Sequence, residues 1–242
     1  MDDVEGVRTL VYKSDNIFER RRRVLHEARR LISERSLAEF SIEELCRRAG
    51  IARRTFYNAF GSRENVIALA IRQFAIDLSA LATFHLDPLT LEGRLERYIK
   101  AHSRNSRLRV YISAIMAVYN SPKSDRVVRE AIRGLTNEGL RPFADHLLVE
   151  KALAGAVTPE SLVYQLTMVT YAVLTDWCLG DLGDDEVVDR VCEAFLVVVA
   201  GATVGQFNKL AKQWLEDVRE CRPSWRALRK MAEVPPEVEV RL

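Results

Sequence analysis

Apolar residues recur along most of the chain at the spacing of an amphipathic α-helix. In residues 19–35, for example, Val24, Ala28 and Leu31 fall at i, i+4 and i+7, which places them on one helical face. The 242 residues include only 11 Gly and 7 Pro, the residues that most often interrupt helices, and long stretches contain neither. The pattern therefore predicts an all-α protein.

Capping residues and helix breakers divide this pattern into successive helices. We expect a flexible leader over residues 1–17, and Pro235-Pro236 predicts an extended tail. The predicted helices cover residues 19–35, 41–50, 53–60, 62–82, 89–103, 105–119, 123–151, 159–180, 185–206, 207–220 and 224–232.

Two short helices with a tight turn between them are predicted within residues 41–60. Ser41 suits the N-cap of the first helix, and Glu44, three residues later, completes the pattern of a capping box. Gly50 ends this helix, and the second helix runs from Arg53 to Phe60. Two short helices joined in this way are typical of a helix-turn-helix, a DNA-binding motif.

The second short helix divides into an apolar face and a polar face. Phe56 and Phe60, four residues apart, predict the buried face. The opposite face carries Arg53, Arg54, Tyr57 and Asn58. Arg can bind the O6 and N7 atoms of guanine, Asn can bind the edge of adenine, and hydroxyl groups can bind phosphates. The polar face therefore has the chemistry needed to read the major groove.

The charge of the chain is concentrated in the same region. The whole chain has a formal net charge of only +2. Residues 18–64, however, contain 12 Lys and Arg against 7 Asp and Glu, a local balance of +5. A local surplus of positive charge favours contact with the phosphate backbone of DNA.

Several other classes of protein are disfavoured by the motifs that the chain lacks. The four cysteines form no CxxC pair and have no His at ligand spacing, which argues against a metal site and for reduced thiols. No nucleophile elbow, P-loop or GxGxxG motif occurs, so we expect neither an enzyme nor a cofactor. The N-terminus has no signal-peptide pattern, and the most apolar stretch, Phe195–Gly205, is too short to span a bilayer. We therefore expect a cytoplasmic protein.

The run SIEELCRRAGIARRTFYNAFGSRENV at residues 41–66 resembles the N-terminal domain of the TetR family of regulators in the order and spacing of its residues. The resemblance extends back to about residue 20. It implies a homodimeric repressor, associated with the bacterial nucleoid, that a small molecule releases from a palindromic operator. A DNA-binding domain over residues 18–64 would be joined by helix 62–82 to an effector-binding and dimerisation domain over residues 65–242.

The sequence and the resemblance together assign DNA contacts to eight residues. Ser41, Thr55, Tyr57 and Arg63 match phosphate-contacting positions of the family, Arg53, Arg54 and Asn58 match positions that contact bases or backbone, and Ser62 begins a helix whose free N–H groups favour phosphate. Three residues depart from the family's pattern. Ala52 removes a capping hydroxyl, Arg54 replaces a common Gly, and Ala59 replaces an aromatic or His that contacts phosphate. We therefore expect DNA binding to depend strongly on arginines.

Helices 159–180 and 185–206 are apolar on most sides. A helix that is apolar all round must be buried all round, and pairing with the same helices of a second copy would achieve this. We expect a homodimer through these two helices. The alternative is that they form the core of a single chain beneath residues 207–232.

An effector pocket is expected between residues 89–151 and the inner side of helix 159–180. Asp176, beside Trp177 in an apolar helix, is the best candidate for a buried polar group, although such a residue is more often a structural carboxylate with satisfied hydrogen bonds. The predicted lining residues are Tyr98, Tyr111, Met116, Tyr119, Phe143, His146, Met168, Tyr171, Asp176 and Trp177.

A basic cluster follows in the same region, formed by His102, Arg104, Arg107 and Arg109. Such a cluster can recognise an acidic effector, but it more often forms a solvated face, and we favour the solvated face here. A second hypothesis for the whole chain is a DNA-binding regulator controlled by a protein partner. That regulator would need no small-molecule pocket, so its larger domain would have a solid core.

Overall fold

The computed structural model describes residues 3–35, 39–80, 82–105 and 108–233, with side chains from residue 17 onward except at 35 and 105. Within these ranges the chain forms eleven helices, and the all-α prediction is confirmed. The helices are α1 (Asp3–Arg35), α2 (Ile42–Ala49), α3 (Arg53–Phe60), α4 (Arg63–Ala80), α5 (Leu91–Asn105), α6 (Arg109–Asn120), α7 (Arg126–Val149), α8 (Pro159–Leu179), α9 (Val187–Ala202), α10 (Gly205–Arg219) and α11 (Pro223–Ala232). None of the described helices is both long and apolar enough to cross a membrane.

The first helix differs from its prediction. A flexible leader was expected over residues 1–17, whereas α1 is helical from Asp3 onward. Residues 3–18 contain no Pro and only one Gly. Extending an existing helix costs much less than nucleating a new one, so a stretch without helix breakers continues the helix upstream. The tail predicted after Pro235-Pro236 lies outside the described residues.

Helices α1 to α3 pack around a small core of their own. Leu25 and Ile32 of α1, Leu45 of α2 and Phe56 of α3 are each at most 5% exposed. The turn between α2 and α3 depends on Gly50, whose φ of 62° and ψ of 43° lie in the left-handed region. That conformation is accessible to Gly without the steric cost that a Cβ atom brings.

Helix α4 is shared between the two halves of the molecule. It packs against α1 on one side and against α7 on the other. The Arg29 guanidinium, on α1, pairs with the Asp77 carboxylate at 2.9 Å and lies over the Phe74 ring at 5.4 Å. Arg29 is only 5% exposed, so this contact ties α1 to α4 within the interior.

Helix α9 lies at the centre of the larger domain, in contact with α5, α8 and α10. Phe195, on its inner face, is fully buried, and its ring lies 4.7 Å from that of Tyr98 and 6.1 Å from that of Phe143. The inner faces of α8 and α9 are therefore covered within one chain, as the alternative to dimerisation required. Their outer faces remain uncovered.

Candidate DNA-binding surface and ligand cavity

Helix α3 presents a buried face and an exposed face. The Phe56 and Phe60 rings are buried, with their centroids 5.5 Å apart, and they fix the helix against the rest of the small domain. Arg54, Tyr57 and Asn58 are exposed on the other side. The Tyr57 and Phe56 rings pack edge to face with their centroids 5.3 Å apart, so the exposed phenol is held against the buried Phe56.

The two arginines at the start of α3 have different surroundings. The Arg53 guanidinium pairs with the Glu43 carboxylate of α2 at 2.7 Å. A hydrogen bond to Tyr57, and then the charge of Glu43, raise the pKa of Arg53. Arg54 is exposed and makes no ion pair or hydrogen bond with any residue that the structure describes. Arg54 is therefore the cation on this helix that is available to another molecule.

The hydroxyl groups of Ser41 and Ser62 act as helix caps. Ser41 Oγ accepts a hydrogen bond from Glu44 N at 3.4 Å, and Ser62 Oγ accepts one from Asn65 N at 3.1 Å. The Glu44 carboxylate, expected to complete the capping box, instead accepts hydrogen bonds from Arg47 and Arg48 of its own helix. These bonds lower the pKa of Glu44 to about 2. The capping box at α2 is thus only half formed, because the two arginines offer stronger, charged donors.

The remaining residues predicted to contact DNA lie at the edges of α3. Thr55 is partly buried. Arg63 turns inward, since its Nε donates to the Phe40 carbonyl at 3.1 Å and its guanidinium lies 5.6 Å from the centre of the Phe40 ring. Ala52 occupies the N-cap position without a side-chain hydrogen bond, and Ala59 is exposed.

Arginines of α1 extend the basic surface beside α3. The Arg21 guanidinium lies 5.3 Å from the centre of the Phe60 ring, at the end of α3. Arg23 donates from Nε to the Ala49 carbonyl at 2.9 Å, which satisfies the last turn of α2. Contacts from α1 therefore reach both helices of the helix-turn-helix.

A cavity of about 530 Å³ lies in the larger domain between α4, α5, α6, α7 and α8. This volume is within the range of small-molecule sites in proteins. Its walls are mostly apolar and include Phe74 and Leu78 of α4 and Ile115 of α6. Among the described residues, no group of three or more His, Cys, Asp or Glu is placed to hold a metal ion.

Residues 24–70, which span the helix-turn-helix, match the family model of bacterial regulatory proteins of the tetR family. The DNA-binding domain of this chain belongs to the TetR family. The match begins within α1 and ends within α4, so the TetR-family domain includes the start of the helix that both halves share.

Solved structures of TetR-family regulators resemble most of this chain in fold. A putative TetR-family regulator from Rhodococcus sp. has a TM-score of 0.57 at 16% identity, covering 74% of this chain and 98% of that one. FadR of Thermus thermophilus, in complex with lauroyl-CoA, has a TM-score of 0.57 at 15% identity, covering 77% and 96%. The tetR regulator tylp from Streptomyces fradiae has a TM-score of 0.55 at 14% identity, covering 88% and 98%. No curated protein matches the chain significantly.

Four of the ten residues predicted for the pocket of this TetR-like fold line the cavity. Tyr98, Tyr111, Met116 and Tyr171 come from three different helices and meet there. Tyr171 Oη donates to the Ile132 carbonyl at 2.6 Å, and burial raises the pKa of Tyr171 to about 12. The cavity lies where it was expected, except that α4 supplies an additional wall.

The other six predicted residues lie elsewhere. Asp176 is exposed, because it lies on the outer side of α8, and the prediction that it is buried is wrong. Trp177 is fully buried, but its Nε1 donates to the Asp184 carboxylate outside the cavity, at 2.7 Å. Tyr119 contacts Met168, the Phe143 ring lies among Phe195 and Phe207, and the His146 ring also meets Phe207.

The prediction that the basic cluster forms a solvated face is also wrong. His102 and Arg104 are only 6% and 7% exposed and line the cavity, so they do not form a solvated face. The chain segment after α4 contacts α5 nearby, where the Lys100 ammonium donates to the Thr83 carbonyl, and nothing in the spacing of α5 predicts such contacts. Arg109 lies apart from them, paired with Asp184 at 3.0 Å, and Arg107 is outside the described residues. Arg94 and Arg97, which the pattern did not single out, line the cavity as well.

We expect Gly50→Ala to lower the free energy of unfolding by about 1 kcal/mol, because Ala resists the left-handed conformation at this turn. A Cβ at Gly50 would meet no atom within 4 Å, so the cost is conformational rather than steric. Gly134→Ala, within α7, provides the matched control and should stabilise the protein slightly. Urea unfolding of both variants measures the difference. If both variants change stability in the same direction, this explanation of the turn is wrong.

Proposed function

We propose that this chain is a homodimeric transcriptional repressor that a small molecule in the cavity releases from a palindromic operator. The observation that carries the proposal is the double role of α4. Its first turns belong to the TetR-family domain, and its later residues Phe74 and Leu78 line the cavity. A ligand in the cavity would therefore contact the helix that continues from the DNA-binding domain.

In the proposed complex, α3 enters the major groove of DNA. Arg53, Arg54 and Asn58 contact base edges, and the Thr55 and Tyr57 hydroxyls contact phosphates. Ser41 and Ser62 mark the N-termini of α2 and α4, whose N–H groups favour phosphate. Arg63 supports the surface by holding Phe40. Because arginines dominate this surface, the affinity for DNA should fall steeply as salt increases.

Substitutions on α3 separate base reading from phosphate binding. Arg54→Ala should weaken binding to preferred sequences by about tenfold or more, with a much smaller effect on unrelated DNA. Tyr57→Phe removes only a hydroxyl and should weaken all sequences to a similar extent. Gel-shift titrations of both variants, against DNA selected from a random pool and against a scrambled sequence, measure the two effects. A uniform loss for Arg54→Ala would refute its role in base reading.

The outer faces of α8 and α9 supply a surface for the dimer. Tyr164 and Leu179 on α8 are 52% and 73% exposed, and Val197 on α9 is 48% exposed. Ala172 and Gly201 are also exposed, on the same sides of α8 and α9 as these side chains. Small and apolar side chains exposed along two adjacent helices are typical of an interface between identical subunits, in which each helix meets its own copy.

Charge placed on this surface should separate the subunits. Val197→Glu is expected to convert the dimer to a monomer, because both copies would bring an unpaired carboxylate into the interface. Val127→Glu is a matched control, since Val127 is equally exposed, at 49%, but lies on α7. Analytical ultracentrifugation at several concentrations checks both. If the Val197→Glu protein is folded and still dimeric, the interface does not lie on this surface.

Release from DNA requires that the ligand prefer one arrangement of the dimer. Two recognition helices read successive half-sites when they are about 34–36 Å apart, one turn of DNA. A ligand that binds better when α4 has shifted would favour a different separation, and its differential affinity sets how far the equilibrium moves. The alternative, a regulator controlled by a protein partner, predicts a solid core, and a cavity of about 530 Å³ argues against it.

Filling the cavity should abolish release without abolishing DNA binding. Ile112 lines the cavity on α6, whereas Val110, on the same helix, is 67% exposed to solvent. We expect fractions of a small-molecule cell extract to release the wild-type protein and the Val110→Trp control from the selected operator. The Ile112→Trp variant should bind the operator but resist release. Gel shifts measure this, and if no fraction releases the wild-type protein, the proposed mechanism fails.

A further inference from the structure

The wall of the cavity that α5 supplies is basic. Arg94, His102 and Arg104 all line the cavity and are 6%, 6% and 7% exposed. We call these three residues the basic wall. Arginine is almost never buried unless its charge is compensated, so a basic wall around an otherwise apolar cavity needs a physical explanation.

The hydrogen bonds of Arg94 and Arg104 that the structure describes do not compensate the charges of these two residues. Arg94 donates to the Gly139 carbonyl at 2.8 Å, and Arg104 donates to the carbonyls of Lys100 and Leu78. Carbonyl groups satisfy N–H donors but carry no net charge. No carboxylate of the described residues forms an ion pair with Arg94 or Arg104, and burial lowers the pKa of both.

Carboxylates near the cavity are engaged elsewhere. Glu138 is the one acidic residue among the described residues that line the cavity, and it is exposed and pairs with Arg72 at 2.8 Å. Glu96, on the same helix as the basic wall, pairs with Lys100 at 3.1 Å and accepts hydrogen bonds from the backbone N–H groups of His85 and Leu86. Neither carboxylate pairs with Arg94 or Arg104.

Three polar atoms of residues that line the cavity lack hydrogen-bond partners. Arg94 Nε and the hydroxyls of Tyr98 and Tyr111 are buried and have no partner among the described residues. Unsatisfied buried donors are uncommon in folded proteins because each costs the free energy of its lost hydration. His102 lies in the same wall, and burial together with the charge of Arg104 lowers its pKa to about 4. The neutral ring adds a hydrogen-bonding group without adding charge.

The remaining walls of the cavity are suited to an apolar molecule. Ile112, Ile115 and Met116 of α6 and Leu174 of α8 line it. A ligand that matches the whole cavity therefore needs an anionic group at the α5 wall and an apolar body against the other helices.

We propose that the ligand of this cavity is an amphiphilic organic anion, whose carboxylate or phosphate group binds Arg94 and Arg104 and whose apolar body packs against α6. The proposal rests on the proposed function, in that it identifies the chemical class of the effector. The anion would supply the missing counter-charge and accept hydrogen bonds from donors that now lack partners.

The basic wall also links the ligand to the DNA-binding domain. Arg104 donates to the carbonyl of Leu78, near the C-terminal end of α4. An anionic group is a stronger acceptor than a carbonyl and would compete for the same guanidinium. Binding of the anion would thus weaken a contact that holds α4 to α5. This is the displacement of α4 that release from DNA requires.

Matched probes test the chemical class directly. Decanoate, decyl phosphate and decanol share one alkyl chain and differ in charge. Isothermal titration of the full-length protein should show that both anions bind at least about tenfold more tightly than decanol. Arg94→Gln and Arg104→Gln should each remove most of this preference. Arg126→Gln, which removes an exposed arginine that pairs with Glu130 outside the cavity, should retain it.

The outcomes distinguish this proposal from the proposed function. Equal binding of the acids and the alcohol to the wild-type protein, or binding of neither acid, would overturn the anion site without any variant being needed. A preference for acids that survives in both arginine variants would also overturn it. Gel shifts with the same probes measure release from DNA. If the acids bind but the protein stays on its DNA, the anion site is supported and ligand-controlled release is contradicted.

Discussion

The rest of the structure depends on the burial of α4 between two packing partners. On one side Arg29 of α1 reaches across to Asp77 and the face of Phe74. On the other side the same Phe74 ring meets Tyr111 at 5.0 Å, edge to face, on the border of the cavity. One aromatic ring thus contacts both α1 and the border of the cavity. Close-packed interiors transmit small shifts, so a change in the cavity has a short physical route to α1.

The DNA-binding surface and the cavity both rely on arginines, but in opposite ways. On α3, Arg54 is exposed and unpaired among the described residues, so its charge faces the solvent. On α5, Arg94 and Arg104 are buried and donate hydrogen bonds to neutral carbonyl groups. Burying a charge without a counter-charge costs free energy, which is the physical basis of the proposed anion site.

Local sequence determined the parts of the protein that depend on local forces. The turn at Gly50, the cap at Ser41 and the division of α3 into the Phe56 and Phe60 face and the Arg54 face follow from neighbouring residues, and they are found as predicted. Helix spacing also located the cavity between α5 and α8, and it placed Tyr98, Tyr111, Met116 and Tyr171 in its walls. The start of α1 was missed because nothing local distinguishes a frayed helix end from a continuing one.

Tertiary structure alone decided which polar residues are buried. Asp176 lies in an apolar helix yet is exposed, because α8 turns that side away from its neighbours. His102 and Arg104 lie in a charged helix yet are buried, and Arg104 donates to the Leu78 carbonyl of α4. Spacing along a helix tells which residues share a face, but only the packing of distant segments tells whether that face is covered. The sequence by itself therefore determined the helices and the DNA-binding motif, and the packing of helices that are distant in the sequence determined the chemistry of the cavity.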